Sequence, residues 1–466
     1  MRPLGKLSQV CCYPNYNKSD MAAPRAAVAW AALLEAERMA PRATPVEQAL
    51  IGALARRYDG PKPLDAASEA PALAAYADAI RQVAQKFPED ADVQTLFAES
   101  AMNINAWKLW TVDGKPVAGT EEIVATLEKV IAANPSHPGA NHYYVHAVEA
   151  SAQPEKGVAS AERLVGMMPA AGHLEHMPAH ILQRVGRYDE AAEANHRKGA
   201  TADLAYFAQA APPDYYMMYT AHNYQFLAFS AAMERRRQET LETVRKLRML
   251  VPDQMIAADP AAAWNMVAYY QAMVRFGLWD EILAEQAPNP KLPGLPVGYH
   301  YARASALAES NRLADAKAEL AELDGMIAAA GKDDAAGLNN AVDLYRLAAM
   351  TVRARIAAAE GKPDEAIARW REAVEQEDRL DYDEPADWFF PTRHLLGAAL
   401  LKAGKAGEAE AVYRADLARN PANGWALFGL ARALEAEGRA PERATAQSAF
   451  AAAWKHADMM PTTSAF

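Results

Sequence analysis

Apolar residues along this chain recur at helical spacing rather than in alternation. Between Glu121 and Asn134, Ile123, Leu127, Val130 and Ile131 fall on one stripe, with carboxylates and Lys129 opposite. A second amphipathic segment runs from Glu155 to Met168, and each segment is closed by a proline, Pro135 and Pro169. The interval between those prolines is the length of one helical hairpin in a repeat array. The phase continues in Gly186-Arg-Tyr188-Asp-Glu-Ala191, in Gly361-Lys-Pro-Asp-Glu-Ala366 with Trp370, and in Gly404, Ala409, Tyr413 and Pro421. Gly438 follows Gly404 at the same interval. Glycine permits a tight turn between paired helices, and alanine lets them approach closely. The pattern predicts an all-α chain of about ten to twelve stacked helical hairpins, each burying its stripe on its neighbours.

The phase slips in four places. Residues 106–120, with Trp107, Trp110 and an Asp113-Gly turn, read as an insertion between the helices of one repeat. Residues 206–219, holding Pro212 and Pro213, read as a separator between repeats; 288–298 reads as a proline-rich loop or hinge, and 381–390 as an interruption. There is no low-complexity linker. The expected organisation is an irregular segment 1–18, an N-terminal solenoid half 19–287 carrying most of the histidines, and a C-terminal half 288–466.

Composition narrows the class. At 466 residues the chain is too long for one globular core unless it grows along one axis. Hydrophobic content is 51% with only 8% aromatics, and Val-Ile-Thr runs between turn signals are nearly absent, which suits stacked helices and argues against sheets. A net charge of −11 disfavours a nucleic-acid or anionic-membrane surface. Arg235, Arg236 and Arg237 form the one basic run and read as a solvated corner. Cys11 and Cys12 are adjacent, so an ordinary structural bridge between them is excluded. No apolar stretch is long enough to span a bilayer, and the expectation is a soluble, cytoplasmic protein with an upstream leader left open.

The hairpin pattern resembles the tetratricopeptide repeat, with Gly186, Tyr188, Ala191, Gly404, Ala409, Tyr413 and Pro421 as its best-matching residues. More narrowly, Pro135-Ser-His137-Pro-Gly-Ala-Asn141-His142, Gly172-His173-Leu-Glu-His176-Met-Pro178-Ala-His180, His222-Asn223 and Asn423-Gly424-Trp425 resemble an uncharacterised bacterial family of tetratricopeptide proteins. The likeness covers nearly all of the chain after Tyr13. It implies a right-handed α-solenoid and a further hairpin ahead of Pro14-Asn-Tyr-Asn17, and it brings no established activity.

Six of the eleven histidines lie between His137 and His180, and His142 and His146 are echoed one repeat later by His176 and His180. His142, His146 and Glu149 share one helical face; so do His173, His176 and His180. In tetratricopeptide arrays the first helix of each hairpin lines the concave surface, so the resemblance places both faces on the groove wall. Extending the phase adds Glu99 on one side and His222 on the other. Neutral imidazoles with carboxylates suit Zn, Fe, Mn or Cu. A metal-free polar groove and plain packing are the alternatives, and Pro178 threatens the shared face, because a helix beginning there would separate His180 from His173 and His176. Asn141, Glu175, Asn195 and Tyr219 are the nearest groups for orienting an imidazole, and Glu149 could be a ligand or a general base. His137 reads as a turn residue; His196, His300 and His456 read as solvent-exposed.

The string from Tyr382 to His394 gathers aromatics, carboxylates and Arg393, which could grip an anionic group, against the simpler reading of an inter-repeat loop. Trp425 and Phe428 read as core or cap. The signatures H-E-x-x-H, G-x-S-x-G, G-x-x-x-x-G-K and G-x-G-x-x-G are absent. Three functional readings result. The first is a groove-binding solenoid with a metal on His142, His146, His173, His176 and His180, and ligand contacts from Glu99, Asn141, Tyr219, His222, Asn223 and Arg393. The second is a metal-dependent hydrolase or oxidoreductase with Glu149 as base. The third is a metal-free scaffold whose groove takes a peptide or partner helix.

Overall fold

The computed structural model describes residues 23–209, 214–259 and 263–466. The expected irregular start, Cys11, Cys12, Pro212 and Pro213 lie outside the described residues, as does the side chain of His196. The chain divides into two compact units, Met1–Leu164 and Val165–Phe466, so the soft boundary expected near Pro288 falls inside the second.

The described residues are mainly helical, with almost no strand, and belong to the all-α solenoid class. Their one ladder is a two-residue pairing of Ala335–Ala336 with Asn339–Asn340, besides a bridge from Trp110 to Pro116. No helix among them is long and apolar enough to cross a membrane.

In the N-terminal unit, helix starts are set by side chains that satisfy the first free N–H groups: a Thr44–Glu47 capping box, Asp65 and Asp90. His137 does the same for the Pro138–Glu149 helix, its Nδ1 accepting from Ala140 N at 3.0 Å. The 106–120 insertion runs between helices Ala91–Met102 and Thr120–Ala133. It is pinned back by Trp110, whose Nε1 donates to Ala147 O at 2.7 Å, and by Thr120 Oγ1 on Leu109 O.

The C-terminal unit repeats one turn. At Gly186, Gly277, Gly361, Gly404 and Gly438 the backbone takes a positive φ between 65° and 78°. In each case the next N–H reaches back across the turn, as in Arg187 N to Leu182 O and Lys405 N to Leu400 O, both within 2.9 Å. That bond captures a carbonyl the helix end leaves free. Asn311 and Arg235 take the same left-handed position without glycine. Arg235 is therefore not on a solvated corner as expected: it is 9% exposed, with its guanidinium 5.0 Å from the Trp425 ring. Arg236 is spent on Asp189, Glu234 and Glu239. Trp425 is core, as anticipated.

Two further expectations change. The 206–219 separator is largely helical where it is described, shared between Thr201–Phe207 and the long Asp214–Met233 helix. His300 is half-buried and bound to Glu319 at 2.6 Å, whereas His456 is exposed.

Two glycines separate strain from crowding. A Cβ at Gly361 meets nothing within 4 Å, whereas one at Gly186 would lie 2.2 Å from Pro421 O. Gly361→Ala is expected to cost roughly 1–2 kcal/mol from the left-handed backbone alone. Gly186→Ala is expected to cost a further 1–3 kcal/mol or so from overpacking. Urea midpoints of the two variants check the order.

Candidate metal centre

The C-terminal unit opens with two short helices, Gly172–His176 and Pro178–Arg184. Pro178 does restart the hydrogen-bond ladder, but Met177 between them keeps helical angles of −49° and −35°. The turn is thus unbroken in direction, and His176 and His180 stay one above the other as i, i+4 neighbours. Their Nε2 atoms are 2.8 Å apart, and the two residues are 0% and 1% exposed.

His222, from the Asp214–Met233 helix, completes a triad. Its ring centre lies 4.9 Å from that of His176 and 5.6 Å from that of His180, and one nitrogen from each of the three falls within 4.8 Å of the others. Phe226, one turn further along, packs on all three rings at 4.5–4.9 Å. His222 is partly exposed, so solvent reaches one side of the group.

The partners on the far side of the rings decide which nitrogen holds the proton. Asn195 sits in a π turn, Ala194–Ala200. Its Nδ2 donates to Ala191 O at 2.6 Å, which turns Oδ1 toward His176 Nδ1 at 2.5 Å. An amide oxygen only accepts, so Nδ1 carries the proton and Nε2 presents a lone pair. His180 Nδ1 faces Glu384 Oε2 at 3.5 Å, a carboxylate only 7% exposed, which favours the same arrangement there. Two lone pairs directed at each other at so close an approach repel unless a proton or cation lies between them. With metal–nitrogen bonds of ~2.0–2.1 Å, neighbouring ligand nitrogens lie roughly 2.8–3.4 Å apart, so the pair sits at the short edge of that range.

Close packing holds this arrangement. A Cβ at Gly172 would meet Asp203 Oδ1 at 1.9 Å, and one at Gly199 would stand 3.1 Å from His176 Cβ. Glycine at both positions lets the His176 helix settle onto the π turn. Asp203 is fully buried and accepts from Asn223 Nδ2 at 2.7 Å and from Thr220.

The other predicted residues take different places. His173 stands off the triad, its ring 6.1 Å from His176 and 4.6 Å from Tyr219. Asn223 donates from Nδ2 to Asp203 Oδ2 at 2.7 Å. In the N-terminal unit, His142 and His146 rings are 5.1 Å apart, and His146 Nδ1 bonds Glu149 Oε1 at 2.7 Å, both side chains 1% exposed. Glu149 therefore orients an imidazole. Glu99 accepts from Asn103 at 2.6 Å, and Asn141 spends its amide nitrogen on Pro135 O and His137 O, holding the turn before its helix. Of the suggested orienting groups, Asn195 takes that place for His176; Glu175 bonds Gly166 N instead. Glu384 lies in the string from Tyr382 to His394, and no spacing in the chain links it to His180.

The 381–391 loop borders a cavity of about 170 Å³. Arg393 is not free to grip an anion there: it makes a two-pronged pair with Asp378 at 2.6 and 2.7 Å, and Arg419 reaches the same carboxylate. His394 is buried between Arg275 and Asp416, each at 2.9 Å. Arg275 donates to its Nδ1, and burial pushes it below the ordinary histidine value. Burial also pushes Glu377 up to about 7, against the pull of Thr392 and Arg393, and Asp383 up to about 6.

No protein-family model matches the chain, and no curated protein matches it in sequence. Among solved structures it is similar to the human IFIT1 dimer with m7Gppp-AAAA, at 13% identity over 97% of this chain and 93% of that one, with a TM-score of 0.38. It is also similar to the APC/C hetero-tetramer Cut9–Hcn1, at 9% identity over 90% and 81%, TM-score 0.33. Naa15/Naa10 bound to HypK-THB gives 12% identity over 88% and 64%, TM-score 0.31. At scores this low, nothing about ligand or partner follows for this chain.

Glu377 supplies a test of the buried charges. Its folded value lies above the ordinary one, so the stability it contributes is full below about 4.5 and is lost as pH rises through about 7. Glu377→Gln should remove that loss, worth roughly 1.4 kcal/mol per pH unit of separation, and flatten urea stability between pH 5 and pH 8 relative to the parent protein.

Proposed function

We propose that the chain is a helical-repeat binding protein whose C-terminal unit holds a divalent transition metal on His176, His180 and His222. The observation that carries this reading is the 2.8 Å approach of two imidazole nitrogens, with Asn195 and Glu384 facing the other nitrogens of the two rings. Histidine ligands ordinarily donate their second N–H to a carbonyl or carboxylate, and such partners tune affinity. An all-nitrogen, uncharged donor set favours Zn, Cu or Fe over Mn. In the N-terminal unit, His142 and His146, the latter oriented by Glu149, offer further donors of the same chemistry. The ligand class is a small polar molecule or peptide; a net charge of −11 supports neither nucleic acid nor an anionic membrane as partner.

A second reading makes the centre catalytic. Three protein ligands leave a position for water, and a bound metal would lower the pKa of that water enough to make a nucleophile at neutral pH. The partial exposure of His222 favours access to that position.

Elemental analysis of purified protein, after refolding with Zn, Fe, Mn or Cu, should find metal retained. His176→Ala should abolish the metal on the triad, and Asn195→Ala should weaken it about 10–100-fold while leaving the helical signal intact. Metal retained undiminished in His176→Ala/His180→Ala, or absent from the parent protein, overturns the proposal.

A further inference from the structure

Beyond the Ala440–Ala453 helix the chain forms neither helix nor strand, yet it returns into the C-terminal unit. It is anchored at Asp458, whose Oδ2 accepts from Gln238 N at 2.6 Å. Met459 and Met460 then stand exposed, and the segment 461–466 docks among helices: Pro461, Ser464 and Ala465 are buried and Phe466 is half-buried.

The place this segment takes is built by the helices around it. Tyr413 is fully buried and its ring passes between two glycines, since a Cβ at Gly397 or Gly429 would lie 2.3 or 2.2 Å from it. That passage brings the phenol to Ser464 Oγ at 2.6 Å. Ser464 gives its one O–H to His394 O at 2.8 Å, so Tyr413 is the donor to Ser464. Arg275, already held on His394 Nδ1 at 2.9 Å, reaches Ser464 O at 3.5 Å. Phe466 meets Trp279 edge-on at 5.2 Å, and the Arg355 guanidinium lies 5.1 Å from its ring centre. Arg355 is fixed in turn by Glu309 at 2.6 Å.

Each group reads a different property. Tyr413 and His394 O together require a hydroxyl, and a site that hydrogen-bonds a hydroxyl discriminates strongly against a residue lacking one. The enclosure of Ala465 requires a small side chain. Trp279 and Arg355 suit an aromatic ring, whose edge and face they engage. Four helices thus hold reading groups in place through bonds of their own, and preplaced groups lower the ordering cost of binding.

We infer that the groove holding residues 461–466 is a docking site for a short peptide with a hydroxyl, a small and an aromatic residue in succession, and that the chain's own segment fills it in cis. A partner segment of the same chemistry takes the groove when the cis segment leaves. The site is separate from the histidine triad and does not depend on metal there.

A fluorescent peptide of residues 460–466 tests this by anisotropy against three full-length proteins. These are the parent, Ser464→Ala/Phe466→Ala, and a chain with about 20 Gly/Ser residues inserted between Met459 and Met460, an insertion that lowers the local concentration of the cis segment without altering the groove. The peptide is expected to bind the double variant about tenfold or more tighter than the parent, and the lengthened chain about fivefold or more tighter. A peptide carrying the same two alanine substitutions should show neither gain. The lengthened chain keeps every docking residue, so it decides the matter even where the double variant is poorly folded. No gain in affinity by the lengthened chain makes the segment a permanent part of the core and overturns the inference. A gain that the substituted peptide shares overturns it as well.

Discussion

The constraint on which the C-terminal unit depends is the reversal of the chain after each helix. A helix end leaves carbonyls without partners, and a left-handed residue followed by a bond back across the turn recovers one of them while directing the chain onto its neighbour. Gly186, Gly277, Gly361, Gly404 and Gly438 meet that requirement without Cβ strain, and Asn311 and Arg235 meet it with a side chain. Because the reversal is short, consecutive helices pack side by side. A continuous apolar core then runs from Tyr188 to Ala465.

Packing of that kind encloses polar groups as well as apolar ones. His176, His180, Asn195 and Asp203 are each almost wholly removed from water. The π turn at Ala194–Ala200 opens the ladder just enough for Asn195 to bond Ala191 O and His176 together. Phe226 closes the apolar side of the imidazoles, so their lone pairs face one another in a poorly screened setting. The same low screening acts on Glu377 and Asp383 beside the 381–391 loop, where burial raises the proton affinity of both carboxyls.

Charge is where reading along the chain departs furthest from the structure. Arg393 stands among aromatics and carboxylates in the sequence and invites an anion, yet Asp378, one helix earlier, already holds it. Arg235 to Arg237 look like a solvated corner, yet Arg235 is buried against Trp425. His300 reads as exposed but meets Glu319 across a helix pair. In each case the side chain finds its partner, a carboxylate or an aromatic ring, far along the chain, and local spacing holds no record of that meeting.

The recurrence of proline and glycine at one fixed interval, with apolar stripes between, determined by itself that the chain is all-α and built of stacked hairpins, because period and turn chemistry are local properties. It also marked His176, His180 and His222 as worth watching, since helical spacing alone aligns the first two. Tertiary structure decided which histidines meet: His222 joins the pair and His173 turns to Tyr219. It placed Asn195 and Glu384 behind the rings, put Glu149 on His146, and tied Asn141, Asn223 and Arg393 into the scaffold. The reason is physical. Backbone preference acts over a few residues, whereas proton placement, charge pairing and burial depend on atoms brought together from helices far apart in the chain.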